Sequence, residues 1–198
     1  MIYEVLQILS DEVNNYFTSQ SMGTPVHMDN IAMIEQDQTD PNIDFRDSVL
    51  MTLLNMNEEK TLKNFPNIKQ EANQVIYQNN KINLNLFILF SANRNTYARS
   101  LKDISKIVEF FQGKRLFTQA NSNYNRSNVA MAGVQDFRFT VELYTPSFEE
   151  LNFIWGALGG KQYPSALYKL SMIEIVRDAN ITSSSRIGGV GIGTNTVE

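Results

Sequence analysis

Carboxylates are the residues of this sequence that come closest to a chemical grouping. Four aspartates lie three or four residues apart in one polar stretch: Asp37, Asp40, Asp44 and Asp47. Carboxylate oxygens suit Ca²⁺, but the stretch lacks the Asp-x-Asp-x-Asp-Gly order and the terminal Glu of the known calcium-binding loop. We therefore interpret it as a solvated acidic loop.

The other residues that could carry chemistry are isolated from one another. His27 is the single histidine and the chain has no cysteine, so neither a two-histidine metal site nor a thiolate site can form. Glu149 and Glu150 stand at the start of a predicted helix, where the helix dipole explains both. The glycine-rich residues 188–194 lack the following helix that a phosphate-binding loop needs. We predict a protein that is not an enzyme and has no catalytic, cofactor-binding or metal-binding residues.

Bulk composition excludes further classes of function. The 198 residues carry a net charge of −4, which disfavours nucleic-acid binding because phosphates require a basic face. Hydrophobic residues make up 42% of the chain, enough for a core. The longest apolar run, residues 86–90, is too short to span a bilayer, and the N-terminus lacks the basic segment of a secretory signal. We expect folding in the cytoplasm without insertion into a membrane.

Hydrophobic periodicity predicts three helices and a sheet. The helices span residues 2–18, residues 96–112 and a stretch that begins at Pro146-Ser147 and ends before Gly159. Strands are predicted at 48–56, 82–90, 137–144 and 166–176, with weak strands at 26–34 and 115–119. The fold class is α+β: a single domain with a mixed, largely antiparallel sheet, helices mainly on one face, and an extended C-terminal tail.

Three of these elements yield detailed expectations. The second helix should have Asn95 as its N-cap and bury an apolar stripe of Tyr97, Leu101, Ile104, Val108 and Phe111. In the strand at 137–144, the residues expected to face the core are Phe137, Phe139, Val141 and Leu143. The strand at 166–176 should contain a bulge, or be buried on both sides, near Met172 and Ile173.

The third helix has the clearest local signature. Ser147 and Glu150 form the pattern of a capping box at its start. Its buried stripe is predicted to be Leu151, Ile154, Trp155 and Leu158. Core packing is the favoured reading for Trp155, and a hot spot beneath a partner is the alternative.

Three polar segments do not fit a core. Residues 57–80 are predicted to form a long excursion, residues 120–135 a flexible loop, and residues 178–198 a flexible arm rich in Ser and Gly. The domain organisation is therefore a domain at 1–177 followed by a C-terminal arm at 178–198.

Seven stretches in this order carry a resemblance to a known family. They are MIYEVL (1–6), VLMTLLNMNEE (49–59), INLNLFILFSA (82–92), the helix at 97–112, FTVEL (139–143), FEELNFIWGALG (148–159) and YPSALYK (163–169). This set resembles the tail-terminator or cap proteins of phage-tail-like contractile injection systems, related to the antifeeding prophage and the Photorhabdus virulence cassettes.

The resemblance implies a structural role and makes residues 1–177 a tail-terminator domain. It implies a homo-hexameric ring on the baseplate-distal end of the inner tube and sheath, which ends polymerisation and fixes tail length. It implies no cofactor, no nucleic acid and no catalytic residue. Assembly would begin in the cytoplasm and end in the contractile particle.

Candidate contact residues follow from the polar segments, since strand addition and ring closure are the contacts that a terminator needs. They are Asn64, Phe65, Pro66, Tyr124, Ile187, Val190 and Ile192. Three other functions remain open: another particle component such as a baseplate adaptor or sheath-associated subunit, a small-ligand binding module, and a hydrolase based on Asp or Glu.

Overall fold

The computed structural model describes residues 2–34, 45–60, 68–71, 74–78, 82–131, 134, 137–175 and 180–185. The helices are α1 (Ile2–Ser19), α2 (Tyr97–Gly113) and α3 (Phe148–Ala157), in agreement with the sequence pattern. The strands are β1 (Val26–Met28), β2 (Ser48–Glu58), β3 (Ile68–Glu71), β4 (Gln74–Gln78), β5 (Ile82–Asn93), β6 (Leu116–Thr118), β7 (Arg138–Tyr144), β8 (Ser165–Ile175) and β9 (Asn180–Ser185). Short 3-10 helices lie at Ile31–Met33, Phe45–Asp47 and Val129–Met131.

Six strands form the main sheet, in the order β1-β2-β5-β8-β7-β6. Only β1 and β2 run parallel, and the other neighbours are antiparallel. Helices α1 and α2 pack on one face and α3 on the other, because alternate residues of each central strand point to opposite faces. The predicted α+β class with a largely antiparallel mixed sheet and helices mainly on one face is confirmed.

The larger core lies between the main sheet and the α1–α2 pair. It is rich in aromatic rings, with Phe111 at the centre, 5.6 Å from Phe90 and 4.5 Å from Tyr168 between ring centroids. Phe117 and Phe139 stack 5.1 Å apart at the β6–β7 edge. A smaller core beneath α3 contains Ile31, Leu50, Leu89, Trp155 and Leu167. The burial of both faces at the start of β2, over residues 48–52, agrees with its nearly continuous apolar sequence.

The predicted stripe of α2 is wrong in phase. Of the five predicted residues, Phe111 is buried and Ile104 packs partly buried against the core, whereas Tyr97, Leu101 and Val108 are exposed. The other buried residues of the helix are Ser100, Asp103, Ile107 and Phe110. The physical reason is an ion pair: Asp103 Oδ2 lies 3.1 Å from Arg94 Nε, so a charged residue occupies the middle of the buried face.

Two smaller predictions are also wrong, and a third is right only in part. Thr96, not Asn95, is the N-cap of α2, because the backbone N–H of Asn95 donates to Asp47 Oδ1 at 3.1 Å. Leu143 is exposed, although it lies on the same face of β7 as the buried Phe139 and Val141, because that face is not covered at the end of the strand. The weak strand expected at 26–34 is limited to β1 and gives way to a 3-10 helix at Ile31–Met33.

The predicted bulge in β8 is confirmed. Leu84 pairs with Ile173 while Leu86 pairs with Leu170, so two residues of β8 stand opposite one residue of β5. A second bulge in β2, between Leu53 and Asn55, leaves Leu54 as the extra residue.

A second, three-stranded sheet was not predicted. In this small sheet, β4 lies between β3 and β9, and both pairings are antiparallel. It therefore joins the 57–80 excursion to the start of the C-terminal arm, while β2 itself runs on to Glu58.

The small sheet continues the pairing of the main sheet. Ile82 pairs with Ile175 at the end of the β5–β8 ladder, and Gln78 pairs with Asn180 at the start of the β4–β9 ladder. Each strand of the small sheet is next in sequence to one central strand: β3 follows β2, β4 precedes β5, and β9 follows β8. The small sheet thus has the same strand order, β3-β4-β9, as the three central strands β2-β5-β8 to which its members are linked in sequence.

Candidate interaction surfaces

The residues considered for chemistry have structural roles where the structure describes them. The described residues contain no grouping of His, Asp and Glu that could hold a metal ion. The His27 ring packs edge-on against Phe45 with centroids 5.5 Å apart, and burial lowers the pKa of its imidazole. Asp47 Oδ2 lies 3.3 Å from Arg94 Nη1. The other three aspartates of the acidic loop, at 37, 40 and 44, lie outside the described residues.

Glu150 is committed to the start of α3. Its Oε2 accepts the backbone N–H of Ser147 at 2.8 Å, and the Ser147 hydroxyl accepts the N–H of Glu150 at 3.2 Å, which confirms the capping box. The Tyr144 hydroxyl donates to its other oxygen at 3.1 Å. The Ser147 backbone N–H and the Tyr144 hydroxyl together hold the pKa of Glu150 below its usual value. A carboxylate held in this way stabilises a helix and has no free geometry for acid–base chemistry.

A buried polar cluster joins four separate segments. Asp103, at the Arg94 guanidinium, also accepts the Thr24 hydroxyl at 3.3 Å, and Arg94 Nη1 donates to the Asp47 carbonyl at 2.6 Å. Burial raises the pKa of Asp103 in spite of the neighbouring Arg94. Thr24 and Asp103 are buried, Arg94 is largely buried and Asp47 lies at the surface, so this cluster ties α2 to the neighbouring segments from the core outward.

The loop expected to be flexible at 120–135 is attached to α1 over its described first half. The backbone N–H groups of Asn123 and Asn125 donate to Glu12 and Asp11, the second at 2.9 Å. Lys114 Nζ donates to the Asn121 carbonyl at 2.7 Å. These contacts fix the loop to the surface of the domain.

Of the seven candidate contact residues, the structure describes only Tyr124. Its ring is buried, 5.9 Å from the ring of Phe137, and the Arg126 guanidinium lies 5.3 Å above it. The other six, at 64–66, 187, 190 and 192, lie outside the described residues. A contact role for these positions stays a prediction.

An apolar groove of about 610 Å³ runs between α3 and β2. Its helix wall includes Phe153, Ile154 and Leu158, and its strand wall includes Leu53 and the bulged Leu54. Phe153 leaves 67% of its surface exposed, and Phe148, at the start of the same helix, leaves 92% exposed. Large apolar side chains exposed beside a groove are typical of surfaces that bind another protein.

Sequence reasoning missed this groove, although α3 carries a signal for it. The buried stripe was predicted correctly, and Trp155 packs in the small core 6.0 Å from the Tyr163 ring. Phe148 and Phe153 fall outside that stripe, so the helix is apolar on more than one side. An amphipathic helix that only covers a core does not need the second side.

Helix α2 presents a second exposed apolar face. It consists of Tyr97, Leu101 and Val108, which lie one or two helical turns apart. Tyr97 leaves 69% of its surface exposed. This face lies on the opposite side of the main sheet from α3.

The strand edges form a third kind of surface. The main sheet ends in β1 and β6, each of three residues, while the small sheet ends in β3 and β9. Short edge strands are a common protection against unwanted pairing. The edges of the small sheet are longer, at four and six residues.

Comparison with known proteins identifies the family of this chain. The family model described as the Pvc16 N-terminal domain matches residues 4–187. No curated protein sequence matches the chain. No helix in the part of the chain that the structure describes is long and apolar enough to cross a membrane.

Two solved structures share the fold. The PVC sheath/tube terminator of an extracellular contractile injection system, in its extended state, matches with a TM-score of 0.63 and 13% identity over 100% of this chain. The tube-terminating cap of the anti-feeding prophage matches with a TM-score of 0.59 and 12% identity over 96% of this chain. The chain spans 64% and 60% of the lengths of those two proteins. The resemblance drawn from the sequence is confirmed.

Proposed function

We propose a function from one premise: this chain belongs to the Pvc16 N-terminal domain family. It caps the baseplate-distal end of the inner tube and sheath of a contractile injection particle, ends polymerisation and fixes tail length. The observation that carries the proposal is the match of the whole chain to the fold of a sheath/tube terminator. The protein works without a cofactor and is not an enzyme.

The geometry supports capping by surface contact. The end of a growing tube or sheath exposes the apolar patches and strand edges that the next layer would cover. The α3–β2 groove, with Phe153 at its rim, offers an apolar surface for such patches. The small sheet offers open backbone hydrogen-bonding groups for strand edges, a contact that depends little on side chains.

A homo-hexameric ring completes the proposal. A head-to-tail interface between copies closes into a ring when the rotation fits, and a closed ring leaves no lateral edge to propagate. The partners are further copies of this chain, the sheath protein and the inner tube protein. The ring assembles in the cytoplasm and remains part of the particle.

The groove alone favours a second function, binding of a small ligand. Its volume lies within the range of about 300–1,000 Å³ that is typical of ligand pockets. Such pockets also hold convergent free polar groups, whereas most polar residues of this groove are hydrogen-bonded within the protein: Asn30, Thr52, Asn55, Tyr144 and Glu150. The capping function therefore accounts better for the exposed Phe148 and Phe153.

Deletion of the gene tests the proposed function. Particles from the deletion strain are expected to have tails of irregular length with open distal ends, as seen by electron microscopy. Expression of the intact chain should restore uniform length and a sixfold density at the distal end. Tails of normal length with closed ends in the deletion strain would refute the proposal.

A shorter deletion tests the part of the chain that reaches a neighbour. Removal of residues 178–198 takes away β9 and everything after it while leaving the main sheet complete. We expect the truncated protein to fold but to leave the distal ends uncapped. If the truncated protein still gives capped tails of normal length, the contacts with neighbouring copies and with the tail are made by the rest of the domain.

A further inference from the structure

The small sheet has two different open edges. Among the described residues, β3 and β9 each pair only with β4, so one side of each strand has no strand partner. Both strands run antiparallel to β4 and therefore run in the same direction as each other. A contact that joined the β9 edge of one copy to the β3 edge of another would use both edges at once.

The composition of β9 suits such a contact. Its six residues read Asn-Ile-Thr-Ser-Ser-Ser and include no charged residue and no proline. Natural edge strands usually carry lysine, proline or a bulge that discourages pairing, or are kept very short. The edges of the main sheet follow that rule with three residues each. The register of β9 with β4 shifts near Ile181, but residues 182–185 pair regularly and carry neither a charge nor a proline.

The position of the small sheet is restricted by the main sheet. Three residues separate β4 from β5 and four separate β8 from β9, so the two open edges lie near the ends of the central strands. The edges of neighbouring copies in a ring would then meet in a repeatable way.

We propose that β9 of each copy pairs with β3 of the next copy, so that the small sheets of a ring form one continuous band of strands. The inference rests on the proposed ring and names the contact that closes it. The partner at each open edge is a second copy of this chain, because a single kind of contact between copies then pairs both the β3 edge and the β9 edge. Rotation about an axis along the strands preserves their direction, so this contact is parallel.

The absence of cysteine from the sequence makes the contact testable by disulfide formation. Lys69, Ile76 and Ser183 lie in one row across the small sheet. Strands are about 4.8 Å apart, so positions 69 and 183 of one copy are about 10 Å apart. That separation exceeds the span of about 7 Å that a disulfide bridges, so a bond between β3 and β9 has to join two copies.

The experiment uses the full chain in assembled particles. Variants carry Lys69→Cys or Gln70→Cys together with one cysteine at each position from 181 to 184, which covers both faces and several registers. After oxidation, cap-specific immunoblots of non-reducing gels report the products. We expect at least one pair to convert most of the monomer into dimers and larger multiples, whereas single-cysteine variants give at most dimers.

Matched controls place the cysteines across β4 and β9. One control carries Ile76→Cys with Ser183→Cys, and the other carries Val75→Cys with Ser184→Cys. These are consecutive antiparallel residue pairs, and in one of them the two residues form a non-hydrogen-bonded pair, whose Cα atoms lie closer together. We expect one of them to form a disulfide within a single chain, which migrates as a monomer.

The outcomes separate this inference from the proposed function. If caps sit on the tail ends and the control disulfide forms, but every β3–β9 pair stays monomeric, the edge contact is refuted and the capping function stands. If the wild-type protein is absent from the tail ends, the capping function fails and the inference fails with it.

Discussion

The Lys114 ammonium lies 2.7 Å from Glu12 Oε2 and joins the end of α2 to the middle of α1. The same two residues hold the loop that follows β6, because Asn123 donates to Glu12 and Lys114 donates to Asn121. Glu12 is almost fully buried. The Glu12 carboxylate therefore connects α1 to the end of α2 and to the following loop, both of which lie about a hundred residues later in the sequence.

Replacement of Glu12 by Gln should reduce the stability of the domain. The variant keeps the shape but loses the charge that both Lys114 and the Asn123 N–H use, so we expect a loss of about 2 kcal/mol in the free energy of unfolding. Urea denaturation measures it. The matched control is Glu109→Gln, whose partners Lys106, 2.6 Å away, and the Tyr16 hydroxyl lie at the surface, so its loss should cost much less. Equal losses in the two variants would contradict this account.

Replacement of Tyr168 by Phe should preserve or increase stability at neutral pH. The Tyr168 hydroxyl is buried and has no hydrogen-bond partner among the described residues. Removal of an unsatisfied buried hydroxyl is expected to raise the free energy of unfolding by about 1 kcal/mol. The exposed Tyr3→Phe serves as the control and should leave stability unchanged.

The same residue predicts a change in alkaline stability. Burial raises the pKa of Tyr168 from 10.0 to about 12. Above pH 10 the unfolded chain loses this proton while the folded protein keeps it, so the contribution of Tyr168 is complete below pH 10 and disappears as the pH rises toward 12. Tyr168→Phe should therefore lose less stability than the wild type between those values. Parallel pH curves for the two proteins would refute the assignment.

Replacement of Ser147 by Ala should destabilise α3 by about 1 kcal/mol, because the first turn loses the cap for the Glu150 N–H. Thermal unfolding followed by circular dichroism provides the measurement. Ser105→Ala is a suitable control, since the Ser105 hydroxyl only donates to the Leu101 carbonyl within α2.

Glu150→Gln adds a dependence on pH. The pKa of Glu150 is lowered in the folded protein, so its contribution is present above the pKa of the unfolded chain and is lost as the pH falls through the folded-state value. The difference in stability between the wild type and Glu150→Gln should therefore be larger at pH 7 than at pH 3. A difference that grows on acidification would contradict the capping-box geometry.

Replacement of Phe153 by Ser tests the α3–β2 groove as a contact surface. Phe153 is largely exposed, so the folded domain should lose little stability, while capping should weaken by about 2 kcal/mol, or ~30-fold in affinity, as for a central interface residue. Tail length and cap occupancy in electron micrographs report the effect. Tyr97→Ser on α2 is the matched control, because its exposed fraction is nearly equal. Loss of capping in the control alone would move the contact to α2.

The sequence predicts those parts of the fold that depend on local patterns. The capping box, the α3 stripe around Trp155 and the β8 bulge follow from spacing within a dozen residues, and all three are present. The error in the predicted buried face of α2 has a cause outside the local pattern. Its buried Asp103 is stabilised by Arg94, and a helical pattern of apolar residues contains no sign of that pairing.

The small sheet shows a second limit of sequence reasoning. Strand β3 contains mostly polar residues, β4 has only three central apolar or aromatic residues, and their partner β9 follows about a hundred residues later in a Ser-rich stretch. Backbone hydrogen bonds hold these strands together, and backbone groups are the same in every sequence. The groove was missed for a related reason: β2 and α3 each predict their own burial, but not the space left between them.

Contraction of a tail is a mechanical event, and the continuity of β8 with β9 determines how a load enters this protein. Tension on the C-terminal segment along the strand direction passes along the chain from β9 to β8. Strand β8 pairs with β5 at nine positions, on both sides of the bulge. Ladder hydrogen bonds lie across the strands, so a pull along them stresses many bonds together instead of opening them one after another. If the proposed capping function holds, a cap anchored in this way withstands shear better than one attached through a surface loop.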